Sequence, residues 1–191
     1  EKAGAGTMGD TVLANERDTE DVARTQGLKK VYHLNYRNHR LDSEPRQDFR
    51  GRLIFLFRLL KVDTVISYDP WGMYEENPDH YVTAQMVEAA CWIANGRKDY
   101  PEHFGAGLQP HFVREKYYFA RGPQIVNRVV DIGPYIDKKV WANMANVTQG
   151  PAGSSGAALR KKLAAQKLRL PLLGNDDETA NRAYTKQFAL S

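Results

Sequence analysis

Val62-Asp-Thr-Val-Ile-Ser-Tyr68 is a short apolar run bounded by turn residues, with a helical pattern on each side of it. Before it, Phe49, Leu53, Leu56, Phe57 and Leu60 recur at helical spacing with Arg50, Arg52 and Arg58 between them, which predicts an amphipathic helix over 46–60. After it, Val82, Met86, Ala89, Ala90 and Ile93 mark a second helix that ends near Gly96. A strand entered from one helix and left into another is the unit of a parallel sheet, whose strands read as unbroken apolar runs because both faces are covered.

The rest of the chain fits that scheme. A helix is expected from Ala14 or Asn15 to Gly27, with Glu16, Asp18, Glu20 and Asp21 in its first turns, where the helix dipole favours them. Val31–Tyr36 alternates and is rich in β-formers, so it reads as a strand, with helix 46–60 as its crossover to a neighbouring or near-neighbouring parallel strand at 62–68. Phe112–Ala120 and Arg128–Ile132 are also strand-like, and Pro134 opens a helix to about Gln149. Residues 1–12, 37–45 and 97–111 read as loops. Gly150-Pro-Ala-Gly-Ser-Ser-Gly156 has a linker's composition, and two helices follow near 157–169 and 176–189. The expected fold is α/β: a Rossmann-like, open, mostly parallel sheet with helices on both faces. The expected organisation is one domain over 1–149 and a linker with peripheral helices over 150–191.

Composition narrows the function classes. At 191 residues with 26% charged and 42% hydrophobic, the chain has the make-up of a globular domain, and no stretch approaches the ~18 apolar residues of a membrane span. A cytoplasmic location is favoured, although the sequence lacks an initiator Met and so leaves an upstream signal peptide open. The single cysteine, Cys91, excludes an internal disulfide and a Cys-rich zinc site, and reads as a buried structural thiol among Ala89, Ala90, Trp92 and Ile93. The net charge is +4, much of it in Arg160-Lys161-Lys162 and Lys167-Leu168-Arg169, which read as a solvated helix face. No nucleic-acid-binding motif accompanies it. Gly4-Ala-Gly-Thr-Met-Gly9 follows no visible strand, so it makes a weak dinucleotide-binding loop.

The segment Asp69-Pro-Trp-Gly-Met-Tyr-Glu-Glu-Asn-Pro-Asp-His80 carries the functional signal. It joins the C-terminal end of a strand to a helix, the position where open α/β sheets build their sites. It gathers Asp69, Tyr74, Glu75, Glu76, Asp79 and His80 on one loop. A histidine opening a helix beside a carboxylate is a candidate metal ligand.

Taken together, these pieces resemble the PIG-L/LmbE-like family of zinc-dependent de-N-acetylases over roughly residues 5–150. Arg17-x-x-Glu20-x-x-Ala23-x-x-x-Gly27 looks like the family's Arg-x-x-Glu helix, and Leu34–Leu41 is similar to its strand and polar loop. Val62-Asp-Thr-Val-Ile66 resembles its Pro-Asp-Val-Val strand, and Asn77-Pro-Asp-His80 its His-Pro-Asp-His motif. Asn127-Arg-Val-Val-Asp-Ile132, with a helix ending in Gln149, is similar to its C-terminal signature. The resemblance implies hydrolysis of an N-acetyl amide on an amino sugar, with a Zn²⁺ that polarises the carbonyl and activates water. It implies His80 as a metal ligand and Asp79 as a catalytic-site carboxylate that orients its neighbours.

Asn77 stands where the family commonly has a histidine that assists the tetrahedral intermediate or the leaving amine. It can donate to an oxyanion but cannot shuttle a proton. That leaves Tyr74, Glu75 and Glu76 as alternatives for protonating the amine. Arg17 and Tyr74 are the candidate substrate contacts, together with Asn38, which falls where many relatives carry an acidic residue; His39 is an alternative to it. The plain reading of Arg17 is a salt bridge to Glu20 or Asp21.

The family's His-Pro-Asp-Asp-Glu motif, which supplies two further metal ligands and the general base, is absent from these residues, as if the first β-α-β unit were missing. The chain alone is therefore expected to be inactive, since a catalytic zinc typically needs three protein ligands. The competing reading is a non-catalytic family member acting as an interaction module through its basic tail. The expected partner is a small amino-sugar conjugate rather than nucleic acid, and a homo-oligomer is compatible with the sequence.

Overall fold

The computed structural model describes residues 6–120, 125–148 and 153–189. The chain forms two compact units, one made of Leu34–Arg128 and the other of the residues up to His33 together with those from Val129 onward.

The Leu34–Arg128 unit is built on a two-stranded parallel sheet. β1 (Thr64–Tyr68) pairs with β2 (Glu115–Phe119), in a register that sets Thr64 opposite Glu115 and Tyr68 opposite Phe119. The helix predicted ahead of β1 forms as α2, Arg46–Leu60, and ends where Lys61 turns into the left-handed region (φ 52°). The helix after the loop is α3, Pro78–Ile93. Both helices bury the faces their sequences mark: Phe49, Leu53, Ile54 and Phe57 of α2 meet Val82, Met86, Val87, Ala90 and Cys91 of α3, with Val65 of β1 and Val113 closing the core. Each large apolar side chain so buried contributes about 1.5–3 kcal/mol. Val65 and Ser67 point into this core, while Ile66, on the opposite face of β1, is 71% exposed.

Several expectations are corrected. Val31–Tyr36 is not a strand: the stretch carries no ladder, and Asn35 at φ 56° breaks the pleat. Its apolar side chains are used all the same, since Leu34 and Tyr36 pack against the core and Tyr36 meets Phe49 at 4.9 Å between ring centroids. The parallel partner of β1 is therefore β2 and not residues 31–36. Arg128–Ile132 likewise forms no strand. The stretch read as loop 97–111 contains the short helix α4, Pro101–Gly105.

In the other unit, α1 spans Met8–Gln26, six residues earlier than the acidic cluster suggests. Thr7 and Asp10 form a capping box, Thr7 N donating to the Asp10 carboxylate at 2.7 Å and Asp10 N to Thr7 Oγ1 at 3.2 Å. Gly27, at φ 74°, ends the helix as expected. α5 (Ile136–Ala145) packs against α1, and buried Asp18 of α1 accepts from Thr148 N at 2.6 Å. α5 stops short of Gln149, which lies outside the described residues with 150–152. α6 (Ser155–Ala165) packs on α7 (Asp177–Tyr184), which continues as a π-helical turn over Thr185–Ala189. Ser155 and Gly156 thus belong to a helix and not to the linker read over 150–156, and Gly156 is where α6 comes closest to α7: a methyl group there would overlap the Ala180 carbonyl.

Candidate active site

The loop between β1 and α3 is fixed at both ends. At its start, Asp69 N donates to Phe119 O at 2.9 Å, extending the β1–β2 ladder, and Asp69 Oδ1 accepts from Trp71 N at 2.8 Å. At its end, Asn77 is the N-cap of α3, its Oδ1 accepting from Asp79 N at 3.0 Å, with Pro78 in the first helical position.

That cap sets the state of His80. With Oδ1 of Asn77 committed to a backbone N–H, its Nδ2 is the side that faces His80, 3.2 Å from Nε2. Nε2 is therefore placed to accept from that amide. Nδ1 lies 3.1 Å from Glu75 Oε1, an approach too bent to count as a hydrogen bond, while the same oxygen accepts from Asn77 N at 3.0 Å. Tyr68, the last residue of β1, stacks on the imidazole (centroids 4.1 Å apart, rings 12° from parallel) with its hydroxyl 3.3 Å from Nε2, and Phe119 braces Tyr68 at 4.6 Å. The imidazole thus has a carboxylate close to one ring nitrogen and an amide donor on the other.

Asp79 does something different. Its carboxylate accepts from the backbone N–H groups of His39 (2.6 Å) and Leu41 (3.2 Å). It thereby ties the polar loop carrying Asn38 to the first turn of α3, with Asn38 itself exposed. Asn38, Asn77, Asp79 and His80 are thus brought to one corner of this unit. Tyr74 lies on the same loop, 75% exposed and at φ 66°. Arg17 sits exposed on α1 in the other unit. The acidic neighbours offered as its plain partners are engaged elsewhere, Asp21 with Arg24 and Glu20 at 3.9 Å from the His33 ring.

Sequence reasoning missed Tyr68 and the part played by Glu75. The signal available was position: an aromatic closing a strand directly before a functional loop, and a carboxylate two residues ahead of a helix cap. Two of the remaining histidines are occupied structurally, His103 against Arg58 at 3.1 Å and His111 against Val62 O at 3.0 Å. Among the described residues no group of three or more His, Cys, Asp or Glu side chains could hold a metal ion. His80 fits one corner of a zinc site, and the described residues do not complete it.

A parallel α/β sheet with a polar strand–loop–helix corner at its C-terminal edge defines the class, and comparison with known proteins shows what the chain is similar to. Residues 3–91 match the family model described as PIG-L: GlcNAc-PI de-N-acetylase. The chain is 26% identical over 160 residues to the diacetylchitobiose deacetylase of Thermococcus kodakarensis, covering 76% of this chain and 57% of that one. The N,N'-diacetylchitobiose deacetylase of Pyrococcus horikoshii, solved with an inhibitor, superimposes with a TM-score of 0.70 at 25% identity, over 86% of this chain and 61% of that one. A conserved protein of Thermus thermophilus shares the fold, with a TM-score of 0.61 at 23% identity, over 92% of this chain and 73% of that one. Residues 3–91 thereby resemble the PIG-L de-N-acetylases, and the chain spans about three fifths of the length of the two deacetylases it matches. No helix among the described residues is long and apolar enough to cross a membrane.

Proposed function

We propose that this chain serves the removal of an N-acetyl group from an amino-sugar conjugate, with His80 contributing one ligand to a zinc ion. The observation that supports the reading is the setting of His80: its Nε2 lies 3.2 Å from Asn77 Nδ2 and its Nδ1 3.1 Å from Glu75 Oε1, within the stretch that matches the de-N-acetylase family model. When bound, zinc would polarise the amide carbonyl and acidify a water. The described residues act around that chemistry. Glu75 sets a carboxylate beside the imidazole, Tyr68 walls it in, and Asp79 keeps the Asn38 loop beside it. Asn77 Nδ2 becomes available to a substrate carbonyl oxygen once Nε2 is taken by another atom. Asn77 has no proton to give the leaving amine at neutral pH, which leaves Tyr74, Glu75 or Glu76 for that step. Arg17 and Asn38 stand as further substrate contacts.

The 191-residue chain on its own is expected to bind zinc weakly and not to turn over N,N'-diacetylchitobiose, because a catalytic zinc takes more ligands than it supplies. In the catalytically competent protein, His80→Ala should strip most of the bound zinc, whereas Asn77→Ala should retain the metal and slow turnover roughly 10²-fold or more, the usual loss on removing one oxyanion donor. Metal analysis alongside an amine-release assay separates the two. Normal zinc content in His80→Ala would overturn the ligand assignment. The alternative, an interaction module using the basic tail, draws less support from the structure: Arg160 and Lys161 both pair with Asp177, and Arg169 is bonded to Asn175.

A further inference from the structure

Trp71 is a large apolar side chain left in water on the loop that carries the candidate site. Its indole is 68% exposed. The turn that carries it is anchored and its ring has an aromatic neighbour. Its backbone N–H is held by Asp69 Oδ1 at 2.8 Å, and Gly72 N closes the turn onto Asp69 O at 3.2 Å. Its ring stands edge-on to Tyr118, with centroids 5.8 Å apart and planes at 86°. Tyr118 is itself fixed, its hydroxyl donating to Glu88, which also accepts from Lys116 Nζ at 2.9 Å. The indole is therefore propped open by a chain of contacts running from β2 to α3. The loop that bears it begins after Tyr68 and ends at Asn77, both of which touch His80.

A flat apolar plate on the loop that leads into the candidate site suits a ligand with one apolar face and polar edges. A pyranose ring has that form: its axial C–H bonds make an apolar face, while hydroxyl and acetamido groups lie at the rim. A positioned aromatic offers large contact area at low entropic cost because its rotamer is already fixed. We infer that Trp71 is the stacking platform for a sugar ring of the substrate, positioning the ring beside His80 and setting a preference for pyranoside amides over acyclic ones. The inference rests on the deacetylase reading for the identity of the ligand.

Binding, read separately from catalysis, tests it with N,N'-diacetylchitobiose as the probe. In a Trp92→Phe, Trp141→Phe background, Trp71 is the only tryptophan. Titration should give a saturable change in its emission. Trp71→Ala should weaken the affinity, followed by ligand-observed NMR, about tenfold or more, whereas Trp71→Tyr, which keeps a flat ring, should stay much closer to wild type. Equal affinity in Trp71→Ala would overturn the platform, and so would the lack of saturable binding by the parent protein. A saturable, Trp71-dependent signal would support the platform whether or not the chain alone releases acetate, whereas failure of a protein with a complete set of zinc ligands and bound zinc to release acetate would sink the deacetylase reading alone.

Discussion

At the residue scale, the most constrained side chain outside the candidate site is Arg58. It is 1% exposed and spends its donors on carbonyls of the turn after α3: Nε on Ala94 O at 3.0 Å, one terminal nitrogen on Gly96 O at 2.8 Å and the other on Asp99 O at 3.1 Å. It also lies over the Phe104 ring at 4.7 Å. Arg58→Met would leave those carbonyls unpaired in the interior and should cost about 3 kcal/mol or more, visible as a lowered urea midpoint. Because guanidinium can only donate, His103 must accept through Nδ1 and stay neutral. Burial, and then the Arg58 charge, hold its pKa below the ordinary 6.5. A depressed folded pKa means stability present at neutral pH and lost as pH falls, so wild type should weaken below about pH 6.5 more steeply than His103→Gln. Cys91 shows the opposite sign. Burial, and then Glu88, push its thiol up to about 11 from 9.0, so its contribution is complete below pH 9 and disappears as pH rises toward 11. Alkylation by iodoacetamide at neutral pH should be slow in the native protein and fast in urea.

At the element scale, α2 and α3 were legible because both advertise their cores at helical spacing, and β1 because an apolar run between two such helices has few other uses. Residues 31–36 misled because alternation reports which side chains are buried, not whether the backbone finds a partner. Leu34 and Tyr36 are used by the core, but Asn35 adopts φ 56° and the ladder never forms. The start of α1 was hidden by glycines around Thr7-x-x-Asp10, whose reciprocal bonds outweigh the poor helix propensity of Gly9. Thr7→Ala should cost about 1 kcal/mol and speed hydrogen exchange over the first turn of α1. Gly156 was read as flexibility and is a contact: Gly156→Ala should force α6 away from the Ala180 backbone, costing about 1–3 kcal/mol and lowering the melting temperature. Of the candidate site, Asn77, Asp79 and His80 could be named from one motif. The tie from Asp79 to His39 and Leu41 could not, because it joins residues 38 and 40 apart in the sequence.

At the scale of the whole molecule, the Leu34–Arg128 unit holds both strands and the main hydrophobic cluster, so a fragment of those residues should melt cooperatively by circular dichroism. A broad, non-cooperative transition would show that the cluster needs the remaining chain. The position of His80 follows from a helix cap and a strand end, not from the stretch between them. Asn77 fixes the imidazole from the helix side, and Asp69, bonded to Phe119 O, anchors the loop on the sheet side. Residues 70–74 are thus suspended between two fixed posts, and sequence drift or a change of length there leaves the histidine's position intact. Selection can therefore rewrite this short span without moving the histidine, so the surface around His80 is free to vary while its anchor points stay put.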